Sequence, residues 1–406
     1  MNQENSISHN KSLLLVLGQV QPSQELEELL QHFCGQVLQK ATPLPPISSQ
    51  QKIYVCGDLS LLPAGQAHWH IIQELSFNLA PKLDNPIVGL GQVPLVIHQM
   101  GVYFRRLFPE DNYFEKITQE HEFQELTEST KQSKALRKGI YLSEVTKKIS
   151  PDKKELLHFN LMRCSSNLTG PTDNFRDTDH KIITALNEAA SYTFEKAPSL
   201  NHVLAQIYYN KKEGESPQKI REKKAKISAH SDKTKDMLEE GLIAFCTFYD
   251  SNNFEQLQPS KMDRFDWCYK KHSGLTKLHF KLKKTVQEEG LAKEFEVTLY
   301  PNSAFIIPLS TNRLYTHAIS PSILNVDRIP IRMGYVVRSS KQEAMYRDDQ
   351  VFIQEKGKWL PLQPITSTIL SELRTSYYEE NTTEKKIHYQ EVHFSMNQGD
   401  YQKPIY

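Results

Sequence analysis

Cysteine is scarce in this chain and poorly placed for bonding. Cys34, Cys56, Cys164, Cys246 and Cys268 are five residues in 406, an odd number, widely scattered, with no Cys-x-x-Cys pair. That pattern argues against a disulfide framework and a zinc knuckle, and predicts free thiols in a reducing compartment such as the cytoplasm. An excess of one charge is missing as well. A net charge of +1 gives no global basic field of the kind that drives strong non-specific binding to nucleic acid. Long apolar runs are also lacking: Leu13 to Leu17 is too short for a signal sequence core or a membrane span, so secretion and a membrane partner are not expected. Without such a signal, the sequon Asn167-Leu168-Thr169 has little meaning. Gly89-Leu90-Gly91 is too short for a phosphate loop and predicts a turn. No repeat of solenoid length is visible.

What is present is enough chain for a sizeable core. A length of 406 residues fits one large domain with extensions, or two domains, needing neither disulfide nor structural metal. Residues 1–10 are polar and predict a disordered tail. Residues 11–94 read as an N-terminal α/β cap or module. Its short buried strands are Ser12 to Leu17 and Lys52 to Cys56, and a helix is predicted from Gln24 to Gln39 by apolar spacing. The Pro-rich break Pro43-Leu44-Pro45-Pro46 follows that helix.

Residues 95–341 carry short strands separated by turn residues. Asn201 to Tyr209 and the almost wholly apolar Gly241 to Tyr249 predict buried strands. Gly274 to Leu282 and Phe295 to Leu299 alternate with period two, and Ser303 to Leu309 and Tyr335 to Val337 continue the series. The pattern fits a mainly β core of jelly-roll (double-stranded β-helix) type, within an α+β chain with supporting helices. Thr178 to Glu195 is the best of those helices and is expected against the outside of the larger sheet. Residues 342–406 are a polar, tyrosine-rich C-terminal extension. An amphipathic helix is predicted over Ile365 to Tyr377, and a loosely ordered tail beyond Glu379.

Within that core one ordered set of residues carries chemistry: His230-Ser231-Asp232, then His317, then Arg332 and Arg338 on one strand. In extended chain, residues i and i+2 point to one side, so His230 and Asp232 can reach one metal together. Two imidazoles and one carboxylate form a facial triad that leaves coordination positions open on Fe(II). Arg332, Gly334, Val336 and Arg338 share a strand face, and guanidiniums turned inward need an acceptor to offset desolvation. Plainer readings compete at each position. His230 and Asp232 fit a solvated turn, His317 a hydrogen-bonded core histidine, Arg332 an ion pair with Asp327, and Tyr208 barrel packing. The ordered combination favours the metal reading.

The set resembles the Fe(II)/2-oxoglutarate dioxygenases, and among them the AlkB-type demethylases, from about Asn201 to Arg338. The resemblance rests on His230-x-Asp232, on Arg313-Leu314-x-x-His317, and on two arginines six apart. It implies a double-stranded β-helix, Fe(II) at His230, Asp232 and His317, and 2-oxoglutarate held by Arg332 with Arg338 and Tyr208. O₂ is the second co-substrate, and a C–H bond is hydroxylated or an N-methyl oxidatively removed. Gln206, and Gly334 between the arginines, stand where AlkB-type members usually carry asparagine. Six residues of strand span roughly 20 Å, so both arginines meet one small dicarboxylate only where the strand bends, and Gly334 is the place for a bend.

Two substrate classes follow: an alkylated nucleic-acid base, or a protein side chain or small molecule. A non-catalytic interaction module on the same fold is a third reading, disfavoured by the intact ligand set. A base flipped from its stack needs aromatic walls and a basic groove. Lys219 to Lys226 with Arg105-Arg106 would supply the charge, and Tyr103, Phe104, Tyr113 and Phe114 the rings. His68-Trp69-His70 and the pair His272 and His279 are rival histidine groups, and both read as structural.

Overall fold

The computed structural model describes residues 5–39, 51–62, 68–78, 85–127, 134–164, 168–214 and 221–406. The Pro43 to Pro46 break, Asn167 of the sequon, and Lys219 with Ile220 fall outside them. The chain is mainly β with few helices.

A parallel sheet forms the N-terminal part, in the order Gln36–Gln39, Ser12–Leu17, Lys52–Asp58, Trp69–Phe77, Ile87–Val88. Both faces of its central strands are apolar and covered. Leu14, Val16, Tyr54 and Cys56 pack on one side, and Leu13, Leu15, Ile53 and Val55 on the other. The helix expected to reach Gln39 stops at His32, and Gln36–Gln39 continues as a strand. The reason lies at Gly35, where a Cβ would sit 2.3 Å from the Ser12 carbonyl oxygen. Only glycine lets the chain turn that close beside the first strand. Val37 and Leu38, read as one helical stripe, then point to opposite faces of the sheet.

The predicted disorder of residues 1–10 does not hold over residues 5–10. Asn5 is buried; its amide donates to the carbonyls of Lys196 (2.7 Å) and Glu240 (3.1 Å) and accepts from the Lys196 N–H. Polar composition concealed a segment tied down through its own side chain.

Two sheets face each other across the centre. In the larger, His202–Tyr208, Arg332–Arg338, Leu242–Tyr249 and Ser303–Pro308 lie side by side, all antiparallel. The second runs Ile227–His230, Tyr315–Ser320, Lys277–Leu282, Glu294–Thr298. Ile243, Phe245, Phe305 and Ile307 of the first pack on Leu278, Phe280, Phe295 and Tyr315 of the second. The outer face of the larger sheet presents Ala244, Cys246, Phe248, Met333, Tyr335 and Val337 to helix Asp177–Thr193, through Ile182, Leu186, Ala189 and Ala190. Alternation along each strand thus separates an outer apolar layer from an inner layer that includes Arg332 and Arg338.

Beyond Lys341 the chain is far from loose. Gln342–Arg347, Gln350–Glu355 and Lys358–Pro361 form a meander that joins Glu155–Leu161 and Thr146–Ile149 in one sheet. Helix Ser367–Thr382 follows. Past Glu379, where a loose tail was expected, Phe394, Ser395, Asn397 and Asp400 are buried. Asp400 accepts from Ser395 Oγ (2.5 Å) and Asn397 Nδ2 (2.6 Å), an ordering that average hydrophobicity does not report.

The outer layer contains one buried charge cluster. His121 follows helix Tyr113–Glu120, and its Nδ1 and Nε2 each lie 2.7 Å from a carboxylate, Asp173 and Asp179. Asp179 also accepts from the Tyr335 hydroxyl at 2.7 Å, which ties the outer helix to the arginine strand. Burial alone would favour neutral imidazole; the two carboxylates outweigh it and push His121 up to about 9. The raised value means that its contribution is complete below the unfolded-state value near 6.5 and is lost as pH rises through about 9. Urea unfolding of wild type and His121→Asn across pH 6 to 9.5 should therefore converge as pH rises, by on the order of 3 kcal/mol. Lys235 and Lys283, pulled down to about 8 by burial, act in the opposite sense above that pH in both proteins and cancel in the difference. A difference that stays flat with pH would show that His121 is neutral in the fold.

Candidate metal centre

His230 ends its strand directly opposite His317 on the neighbouring one, with ring centroids 4.5 Å apart. Asp232 comes two residues later and turns inward. One oxygen, Oδ1, lies 3.8 Å from Nε2 of each histidine, and the three ligand atoms all fall within 4.8 Å of one another. Asp232 and His317 are buried, whereas the His230 side chain is 39% exposed, so the centre opens to solvent on the His230 side.

The histidines are oriented differently. His230 Nδ1 lies 2.9 Å from the Ser228 carbonyl, to which it donates, and the ring presents Nε2 towards Asp232. His317 is wedged between Phe245 and Phe280, at 5.1 and 5.8 Å between centroids. Burial, followed by its neighbour His230, lowers it to about 3, so the ring is neutral, the form that binds a metal.

Asp232 is set by charge and by its own main chain. Burial would raise its carboxyl, but Arg338, then His317 and His230, overcome that and hold it well below the ordinary carboxylate range. Arg338 Nε donates to Asp232 Oδ2 at 2.7 Å. Asn312, on helix Leu309–Leu314, accepts from the Asp232 N–H and donates to its carbonyl, both at 2.8 Å. Asn312 was not singled out in the sequence, where an asparagine in a polar Ser-Thr-Asn-Arg run has no distinguishing mark.

The two arginines have different surroundings. Pairing of Arg332–Arg338 is continuous on both sides, without the bend considered at Gly334. The side chains therefore stay at opposite ends of the strand, Arg338 against Asp232 and Arg332 beside Tyr208. Asp327, the suggested partner of Arg332, pairs instead with Lys212 at 3.1 Å. Arg332 is buried, has no carboxylate partner among the described residues, and its Nη2 has no hydrogen-bond acceptor. Its guanidinium lies 4.2 Å over the Tyr208 ring. Gly334 makes room for it, since a Cβ there would stand 3.0 Å from Arg332 Nη1 and 3.3 Å from Tyr208 Cε2. The Tyr208 hydroxyl donates to Gln206 Oε1 at 2.8 Å, so both fall in the same corner. The open space beside Arg332 and Tyr208 is about 10 Å³, enough for about one water.

His202, another residue not singled out, is fully buried opposite Arg338 with both ring nitrogens unpartnered. Burial, then Arg338, lowers it to about 3.

Other groups of histidines and acids separate from this centre. Glu120, His121 and Asp179 lie at ligand spacing, but both nitrogens of His121 are already engaged by carboxylates. Glu355, Glu391 and His393 are also close, at a partly exposed site where His393 pairs with Glu355 and Glu391 with Lys356. His68, His70, His272 and His279 join no three-ligand group among the described residues.

Among the described residues suggested for a basic groove, several are paired with acids. Arg105 is buried on Glu28 (2.6 Å), and Arg106 pairs with Asp111 (2.7 Å). Lys223 and Lys224 of the basic run pair with Glu213 and Glu222. Tyr103, Phe104 and Tyr113 are core residues. A large cavity of about 730 Å³ lies elsewhere, between Thr234 to Glu239 and the C-terminal segment, and the three ligands do not line it.

No protein-family model matches the chain, and no curated protein is similar to it in sequence. Among solved structures, that of OsALKBH1 is similar at 14% identity, with a TM-score of 0.33, over 59% of this chain and 96% of that one.

The Asp232–Arg338 pair yields a direct test. Arg338→Met leaves the carboxylate buried without its cation, which should cost the metal-free chain about 3–5 kcal/mol of stability in urea unfolding. A loss below about 1 kcal/mol would mean that water reaches Asp232 and already compensates it.

Proposed function

We propose that the chain is an Fe(II)- and 2-oxoglutarate-dependent dioxygenase of AlkB type, with the two facing sheets as its double-stranded β-helix. The strand order supports the fold reading. Of the strands from His202 to Arg338, eight divide between two facing antiparallel layers, four in the smaller sheet and four within the nine-stranded larger one, as in a jelly roll. Residues 95–341 would be the catalytic domain, 11–94 an N-terminal module, and 342–406 an extension.

One observation carries the functional reading. Two imidazoles and a carboxylate converge beside a sheet whose inner face also holds a buried guanidinium with no carboxylate partner among the described residues. The donor set suits Fe(II), and the unpaired Arg332 suits the distal carboxylate of 2-oxoglutarate. When bound, iron and 2-oxoglutarate supply the oxidation: one atom of O₂ enters succinate as CO₂ is lost, and the other hydroxylates a substrate C–H bond.

The protein's part is placement. His230, Asp232 and His317 would hold the metal. Arg338 keeps Asp232 ionised and fixed, and Asn312 holds its main chain. Phe245 and Phe280 keep water from His317. Arg332, stacked on Tyr208 and given space by Gly334, would receive the carboxylate. Because the space there is small, the neighbouring side chains must shift to admit it. For the oxidised substrate, the resemblance suggests an alkylated nucleic-acid base. The pairing of Arg105 with Glu28 and of Arg106 with Asp111 favours the alternative, a protein side chain or small molecule.

Succinate release, measured with Fe(II) and 2-oxoglutarate against methylated oligonucleotides, peptides and cell extract, tests the reaction and separates the substrates. Turnover should vanish in His230→Ala/Asp232→Ala, and retained activity there would overturn the assignment. Arg332→Met removes a charge-assisted contact worth about 1.5–3 kcal/mol, so the apparent 2-oxoglutarate affinity should fall roughly 10- to 150-fold. Gly334→Ala, by displacing the same guanidinium, should weaken co-substrate binding in the same direction. Unchanged affinity in both would remove Arg332 from the co-substrate site.

A further inference from the structure

The loop that carries Asp232 is fastened by the C-terminal extension, at several points. Ser231 N–H donates to Asn381 Oδ1 at 2.7 Å, beside the ligand itself. Thr234 N–H donates to Glu380 Oε1 at 3.0 Å, and the Thr234 hydroxyl donates to the same oxygen. The other Glu380 oxygen accepts from Tyr389. Lys283, at the end of a strand in the His317 sheet, donates to the carbonyls of Glu380 (2.7 Å) and Thr383 (3.1 Å) and so caps the helix. Further along the loop, Asp236 binds Arg163, which reaches the Val392 carbonyl.

Resting on the metal reading above, we infer that helix Ser367–Thr382 sets the geometry of the metal centre, with Asn381 and Glu380 as positioning residues for Asp232. Main-chain N–H groups of a loop taken out of water need acceptors, and here the acceptors decide where the loop sits. Asp232 N–H is served by Asn312, while those of Ser231 and Thr234 are served by Asn381 and Glu380. Without the last two, the loop keeps Asn312 on the Asp232 main chain, the Ser231 hydroxyl on the Tyr315 carbonyl (3.1 Å) and Arg338 on the carboxylate, but loses the main-chain contacts that set its path on either side of Asp232. Partners of this kind act on metal affinity through ligand orientation, typically 10- to 100-fold.

The test is Co(II) titration of the full-length chain, followed by the visible d–d absorption, with thermal unfolding of the metal-free chain run in parallel. Asn381→Leu should raise the Co(II) Kd about 10-fold or more and alter the band shape, and Asn381→Asp, which keeps the acceptor oxygen, should recover most of the affinity. Thr234→Val, a milder lesion of the same clamp, should raise the Kd severalfold and serves if Asn381→Leu does not fold. A lowered unfolding temperature with an unchanged Kd and spectrum, in whichever of these variants folds, would overturn the positioning role. Absence of Co(II) binding by wild type, with His230→Ala indistinguishable from it, would overturn the metal reading itself and this inference with it.

Discussion

A carboxylate between two apolar sheets is stable only if charge and hydrogen bonds surround it. Asp232 is in that position, and much of the central architecture can be understood from how it is matched. Its cation, Arg338, comes from the larger sheet, its neighbours His230 and His317 from the smaller one, and its main-chain partner, Asn312, from the helix between strands. None of these groups is close to Asp232 in the chain except His230. The facing of the sheets is therefore what assembles the centre, and the centre in turn joins the sheets by an ion pair whose loss leaves a buried charge.

The same accounting explains why the extensions are built onto the core. Arg163 is buried on Asp236, a few residues beyond Asp232, and also touches Gln342 at the start of the C-terminal meander. Helix Ser367–Thr382 then closes over the loop. On the other side, Arg105 is buried against Glu28 of the N-terminal helix and lies over the Phe265 ring at 4.6 Å. Each extension thus contributes polar or charged partners to buried groups of the central region. Their polar composition is the composition of segments that meet polar groups inside.

What could be read from the sequence follows from range. Period-two alternation and all-apolar runs are local, so the strands around Ala205, Phe245, Phe280 and Ile306 were visible, as was the helix after Asp177. The meeting of His230, Asp232 and His317 was legible because their chemistry is unusual in combination. Gln24 to Gln39 misled because Val37 and Leu38 keep helical spacing, while the close approach at Gly35 that ends the helix depends on Ser12, far back in the chain. The meander after Lys341 did carry a local signal. Its two hairpins turn at Asp348-Asp349 and Lys356-Gly357, each with positive φ at both central residues, and Lys-Gly is a fair mark of such a turn. Asn312, Glu380 and Asn381 carried none, since a side chain's partner in a distant loop leaves no local trace.

The contrast among buried arginines bears most on function. Arg105, Arg163 and Arg338 each have a carboxylate, from Glu28, Asp236 and Asp232, and each is thereby accounted for as structure. Arg332 is as deeply buried and has none among the described residues. Packing over Tyr208 recovers part of its desolvation, because a cation over an aromatic face is worth about 0.5–2 kcal/mol. That is well short of what burying a full charge costs, several kcal/mol even after relaxation. A chain that supplies carboxylates to its other buried guanidiniums, and has glycine at 334 where a Cβ would crowd this one, leaves Arg332 in need of the counter-charge that the proposed co-substrate would bring. A small dicarboxylate bound at the metal would meet that requirement, and binding it would remove a standing electrostatic cost of the ligand-free fold.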